Sequence, residues 1–151
     1  MIYRKAEKED IEQVMALRLK LLIEEGATVP KCIDAEMRQY FTEELNQNLI
    51  VMVAEDEGKM IATSSVIFQK YPPSFSNPRG IRAYITNVYT EPEYRRQGIS
   101  TVLLDQLFEV VKAEGLNYVW LWATEQGIPL YEKYGFKELK DFVTMDYKLT
   151  N

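Results

Sequence analysis

The sequence predicts a mixed α/β protein, with one layer of strands and helices packed on both faces. Three observations predict it. The chain has 151 residues, enough for one domain around one core, and no repeat, low-complexity tract or linker divides it. Segments of strand period and helix period are interleaved along the chain rather than segregated. The period also switches within a few residues, from the apolar run Ile81 to Thr90 to the helical spacing that begins at Ile99.

Taken in order, Ile2 to Ala6 reads as a short strand. Asp10 is predicted as an N-cap, with Gln13 completing a capping box. Ile11, Val14, Leu17, Leu21 and Leu22 follow at helical spacing until Gly26. A loop holding Pro30 leads to a second helix, Asp34 to Leu45. Leu49 to Glu55 has the length and apolarity of a strand. Gly58 serves the hairpin turn in "EDEGK", and Met60 to Phe68 returns. "QKYPPSFSNPRG" carries three of the six prolines and is a loop. Ile81 to Thr90 is a strand, ended by Pro92.

Ile99, Leu103, Leu107 and Val110 then share one helical face, and Gly115 ends that helix. Tyr118 to Ala123 predicts a strand buried on both faces. Gln126 to Tyr134 is a short helix with Pro129 near its first turn and Gly135 at its stop. Val143, Met145, Tyr147 and Leu149 alternate, so the chain is expected to end in strands. The unit from Ile81 to Ala123 reads as a right-handed crossover between parallel strands.

Composition removes several classes of function. The net charge of -5 argues against a broad nucleic-acid surface, which needs a basic face, and leans slightly towards a cationic substrate. There is no histidine, so mechanisms with a histidine base or metal ligand are excluded. The lone Cys32 rules out an internal disulfide. No apolar stretch approaches the ~20 residues that span a bilayer, and no membrane partner is expected. "MIYRKAEKED" turns charged before any apolar region develops, so no signal peptide is read and a cytoplasmic location is expected.

The chemistry concentrates in "YRRQGIS", Tyr94 to Ser100, between a predicted strand and a predicted helix. A helix N-terminus presents free N–H groups and about half a positive charge. Gly98 keeps Cβ out of the way, and Arg95 and Arg96 add positive charge. That is a pyrophosphate cradle without a metal. By itself the stretch reads equally well as a basic loop at the end of an acidic protein's helix. It is neither a P-loop nor a dinucleotide fingerprint, because "GxxxxGK[ST]" and "GxGxxG" are both absent.

With its flanks the stretch becomes more specific. "NVYTEPEYRRQGISTVLL" resembles the acyl-CoA-binding motif of the GNAT N-acetyltransferase superfamily, [QR]-x-x-G-x-[GA], with Arg95, Gly98 and Ser100 in the defining places. Ser100 departs from the usual glycine or alanine. "TEQGIPLYEKYGF" is similar to the family's "NxxAxxLYxKxGF", through Leu130, Tyr131, Lys133, Gly135 and Phe136. Thr124 stands where a CoA-contacting asparagine is frequent, and Gly127 where alanine is common. The two motifs lie about 30 residues apart, as in the family, and the predicted element order matches over nearly the whole chain.

The resemblance implies a single GNAT domain over 1-151, with a mixed, mostly antiparallel sheet and helices on both faces. It implies transfer of an acetyl group from acetyl-CoA, as co-substrate and without a metal, to a small amine or a peptide or protein amine. The amine attacks directly in a ternary complex. The strand ending "NVYT" would run beside the pantetheine arm, with Val88, Tyr89 and Thr90 along it and the Val88 N–H as oxyanion donor. Backbone N–H groups of Arg96, Gln97, Gly98, Ile99, Ser100 and Thr101 would bind the pyrophosphate, with the Arg95 and Arg96 side chains nearby. Thr124 is a further expected CoA contact.

Tyr131 takes the place of the family's tyrosine that protonates the leaving thiolate. Its reference pKa near 10 suits that transfer. Glu24 or Glu25 are candidates for the amine site and its base, or a water chain along the strand serves instead. Tyr84, with Tyr71 and Phe75, is a candidate wall of the acceptor pocket, and the loop from Gln69 to Gly80 its lid. A homodimer through the C-terminal strands is common in such proteins. Two other readings stand beside transfer: a non-catalytic CoA-binding regulatory module on the same fold, and a nucleotide-binding protein using the same helix N-terminus.

Overall fold

The structure is a computed structural model that describes residues 1–28 and 31–149, so the predicted Pro30 loop lies partly outside the described residues. They form two compact units, Met1–Leu121 and Trp122–Asn151. The first holds β1 (Ile2–Lys5), α1 (Ile11–Glu24), α2 (Asp34–Glu44), β2 (Leu49–Asp56), β3 (Lys59–Lys70), β4 (Ile81–Thr90), α3 (Ile99–Ala113) and β5 (Val119–Trp120). The second holds α4 (Ile128–Tyr134). No described helix is long and apolar enough to cross a membrane.

The five strands form one sheet in the order β1-β2-β3-β4-β5. Its first four strands pair antiparallel, and β5 joins β4 in parallel after the α3 crossover. Helices cover both faces. Leu49, Val51 and Val53 of β2 cluster with Val14, Met15 and Leu17 of α1 and with Met37 and Phe41 of α2. The intervening Met52 and Ala54 are buried as well. Helix α3 packs on β2, β3 and β4. Its Leu103, Leu104 and Leu107 are fully buried outside the α1–α2 cluster, each a burial of roughly 1.5–3 kcal/mol.

The hairpin turn forms as expected, with Glu57 and Gly58 both at positive φ, 48° and 80°. Three local expectations are corrected. Asp10 has helical φ and ψ, and its side chain does not cap α1. Its carboxylate instead accepts from Arg4 at 2.7 and 2.9 Å and from the Glu7 N–H at 2.8 Å. Gln13 accepts the Met60 N–H at 2.8 Å, so it joins helix to hairpin rather than completing a capping box. The strand predicted over Tyr118 to Ala123 is only Val119–Trp120.

The alternating tail also differs from expectation. Val143, Met145, Tyr147 and Leu149 are exposed and lie in no strand, since alternation alone does not make a strand without a ladder partner.

Candidate active site

The site in the first unit is built around an irregularity in β4. Pairing with β3 is regular up to Ser65↔Thr86 and resumes at Thr63↔Tyr89, so β4 carries an extra residue between them. Asn87 takes it up at φ 54°, a left-handed conformation that asparagine tolerates better than most residues. The bulge resets the alternation: Tyr84 and Thr86 face the α1–α2 side before it, and Tyr89 joins the α1–α2 cluster after it. On its other edge β4 pairs with β5 only at Ala83↔Val119 and Tyr84↔Trp120. From Ile85 to Thr90, therefore, that edge carries no described strand. A bulge followed by an open edge leaves backbone groups at Val88 available to an extended ligand.

The strand leads through a turn of 3₁₀ helix, Pro92–Tyr94, into α3. Arg96 and Gly98 both have positive φ, 63° and 79°, and Gly98 is the N-cap residue. The helical ladder begins with the Val102 N–H donating to the Gly98 carbonyl at 3.1 Å. The first N–H groups of α3, from Gly98 onwards, therefore lie ahead of the intrahelical ladder and face the open helix end. A Cβ on Gly98 would meet no protein atom within 4 Å, so the space above this helix end is open.

The two arginines differ. Arg95 is engaged: its Nε donates to the Thr90 carbonyl at 2.9 Å, its Nη2 to Glu24 Oε2 at 2.6 Å, and its guanidinium lies 5.6 Å from the Tyr89 ring centre. The Glu24 hydrogen bond is the main reason the Arg95 pKa is raised. Arg95 thus ties the loop to β4 and to the end of α1. Arg96 is exposed. Gln97 donates to the Glu93 carbonyl at 3.3 Å. Ser100, the departure from the family pattern, has its hydroxyl 3.0 Å from that of Thr90, which locks strand end to helix start. Ile99 is buried and Thr101 exposed on the first turn of α3.

A buried pair beneath the loop had no sequence signal. Glu91, 4% exposed, accepts from Lys20 of α1 and from the Tyr89 hydroxyl. Burial first, then the Glu91 carboxylate, push the Tyr89 hydroxyl up. With Glu24 held by Arg95, both acidic anchors on this side hold the loop. Glu25 is exposed at the C-cap of α1.

On the α1–α2 face, β4 floors a cleft of about 470 Å³. Tyr84, Ser65, Thr86 and Asn87 form its floor, and Arg18, Glu36 and Tyr40 line its helical wall. Tyr84 stacks against Trp120 with ring centres 4.6 Å apart. The other two aromatics expected as its wall are elsewhere. Phe75 is fully exposed, and Tyr71 lies under the Arg82 guanidinium, 4.6 Å from its ring centre, with its N–H closing the loop onto the Gly80 carbonyl. Sequence reasoning missed Asn87, Ser65 and Arg18. A lone asparagine inside an apolar strand was the available signal for the bulge.

In the second unit, Thr124 accepts the N–H groups of Gly127 and Ile128 through its carbonyl, at 2.9 and 3.1 Å, and the Gly127 N–H through its hydroxyl at 3.3 Å. That starts α4. Tyr131 packs edge-on against Phe136, ring centres 5.6 Å apart. A Cβ on Gly127 would lie 2.9 Å from the Tyr131 ring, so glycine there makes room for the tyrosine.

Comparison with known proteins points one way. The model of an acetyltransferase (GNAT) domain matches residues 2–139. A predicted acetyltransferase of Clostridium acetobutylicum, whose crystal structure is with acetyl-CoA, superposes with TM-score 0.90 at 37% identity, over 96% of this chain and 95% of that one. A glucosamine 6-phosphate N-acetyltransferase of Trypanosoma brucei brucei is 33% identical over 89 residues, 58% of this chain and 57% of that protein. A ribosomal-protein alanine N-acetyltransferase of Escherichia coli is 34% identical over 59 residues, 37% of this chain and 40% of that protein. The chain thus matches about half the length of these curated relatives.

Proposed function

This chain belongs to the GNAT acetyltransferase family, and we propose that it is an N-acetyltransferase moving an acetyl group from acetyl-CoA to a primary amine in a ternary complex. The observation that carries the reading is the left-handed Gly98 at the head of α3, open above its Cβ position and reached through a short turn from the edge of β4 that no described strand pairs. An extended arm ending in a pyrophosphate fits that geometry, with the arm along the strand edge and the anion on the helix N-terminus. One domain over 1-151 is part of the same reading. The family match over 2–139 supports it, because that match runs across the boundary between the two compact units.

The chain's own groups have distinct tasks. The N–H groups of Gly98, Ile99, Ser100 and Thr101 bind the pyrophosphate, and Arg96 and Gln97 flank it. Val88 and Thr90 offer backbone groups to the arm, and the Val88 N–H stabilises the developing oxyanion. Tyr89 and Arg95 hold this frame rather than touch the anion, since Arg95 already bonds Thr90 and Glu24. Glu24 serves as the Arg95 anchor, which leaves the base role to another group. Tyr84 walls the amine site. Tyr131 protonates the leaving thiolate, its ring held by Phe136 and by the room that Gly127 leaves. Thr124 starts the helix that carries Tyr131. A cytoplasmic location is part of the same reading.

The test is thiol release from acetyl-CoA with a panel of primary amines, read together with acetylated product by mass spectrometry. Stoichiometric thiol and acetyl-amine support transfer. Tight acetyl-CoA binding with neither product would leave the non-catalytic CoA-binding module as the better reading.

A further inference from the structure

We propose that the cleft between β4 and the α1–α2 helices selects a primary amine carrying an anionic group. Arg18 holds the anion, and Asn87 and Ser65 hold the polar end beside the β4 bulge. This rests on the transfer reading above and narrows its acceptor class.

The cleft, about 470 Å³, has the size of small-molecule sites. Its lining is mostly apolar, with Met37, Phe41, Leu49 and Ile67 among it, which suits an aliphatic or aromatic body. Among the polar groups that interrupt that lining, the side chains of Asn87, Ser65 and Arg18 make no hydrogen bond within the described residues. Asn87 is only 5% exposed at its bulge, and its amide oxygen and nitrogen have no hydrogen bond among the described residues. Ser65 is fully buried with its hydroxyl unpartnered. Buried polar groups in this state are destabilising unless something fills them, and a donor and acceptor on one amide call for a ligand with both.

Arg18 is the third feature. It is half-buried in the helical wall and makes no ion pair or hydrogen bond among the described residues. Arg4, Arg38 and Arg95 each meet a carboxylate instead. Set beside Tyr40 and Glu36 with no ion pair of its own among the described residues, the Arg18 guanidinium is a ready fork for carboxylate or phosphate. It also repels a polycation, in spite of the chain's net charge of -5. Glu36 on the exposed rim favours entry of the ammonium end.

Calorimetry on the full chain saturated with CoA tests this without needing turnover. The probes are ω-aminohexanoate, ω-aminohexyl phosphate, hexylamine and spermidine. One or both anionic amines should bind about tenfold or more tighter than hexylamine and spermidine. Arg18→Gln should erase that preference. Asn87→Gly keeps the left-handed backbone and removes the unpaired amide. It should weaken the anionic amine without lowering the thermal midpoint. The tighter of the two anions identifies the group Arg18 takes. Equal or tighter binding of hexylamine or spermidine, no binding of either anionic amine, or a preference that survives Arg18→Gln overturns the inference. An anionic amine that binds with the expected preference but is never acetylated sinks the transfer reading and leaves this one standing.

Discussion

Replacement of Gly98 separates backbone strain from ligand contact. Gly98 caps α3 at φ 79°, where an L-residue is disfavoured by about 1–2 kcal/mol. A Cβ there meets no protein atom within 4 Å, so no clash adds to that cost. Gly98→Ala should therefore lose roughly 1 kcal/mol, a fall of about 2–4 °C in Tm for a chain of this size. Gly98→Asn should lose less, because asparagine tolerates the left-handed region. Both variants put a Cβ into the space above the N–H groups that open α3. If the pyrophosphate occupies that space, each variant forfeits about one charge-assisted hydrogen bond, ~1.5–3 kcal/mol, or a tenfold to hundredfold rise in the acetyl-CoA Kd. The assays are thermal denaturation and calorimetric titration on the same samples. A nearly native Tm in Gly98→Asn with a weakened Kd is the expected pattern. An unchanged Kd in both variants would refute the cradle, whatever their stability.

Three further outcomes follow from the geometry. Tyr131→Phe should keep the acetyl-CoA Kd and lower kcat by ~10²-fold or more; full kcat across a pH series would remove the acid role. Gly127→Ala has a backbone suited to alanine, φ -81° and ψ -25°, but its Cβ would press on the Tyr131 ring at 2.9 Å. Stability should hold or rise while kcat falls, and unchanged kcat would show that the ring position is not critical. The Arg4 hydrogen bond holds the Asp10 carboxyl below the ordinary carboxylate range. Its contribution is thus fully present above the unfolded value of about 3.9 and is lost as pH falls through the lower folded value. Asp10→Asn should flatten the acid limb of the urea midpoint below about pH 4, and an unaltered limb would contradict the pairing.

The fold was largely legible because its signals are local. The bounds of β4 were readable from an apolar run stopped by Pro92, and α3 from a face of Ile99, Leu103 and Leu107. Gly98, read from sequence as the glycine at the helix start, is the left-handed N-cap of α3. The rest depends on contacts between distant residues. Arg95 was expected beside the pyrophosphate, and its hydrogen bonds to Glu24, 71 residues away, and to the Thr90 carbonyl carry no local signal. Gln13 looked like a capping residue and serves Met60 instead. The bulge at Asn87 leaves no glycine or proline to mark it, and the cleft exists only once α1, α2 and β4 meet. The tail's alternation was a true pattern that lacked a partner strand to act on.

The claim of direct transfer in a ternary complex is tested most directly by initial velocities with acetyl-CoA and the best amine varied together. Intersecting double-reciprocal lines, unchanged in pattern by Cys32→Ala, are the predicted result. Parallel lines with a stable acetyl adduct on the protein would contradict it.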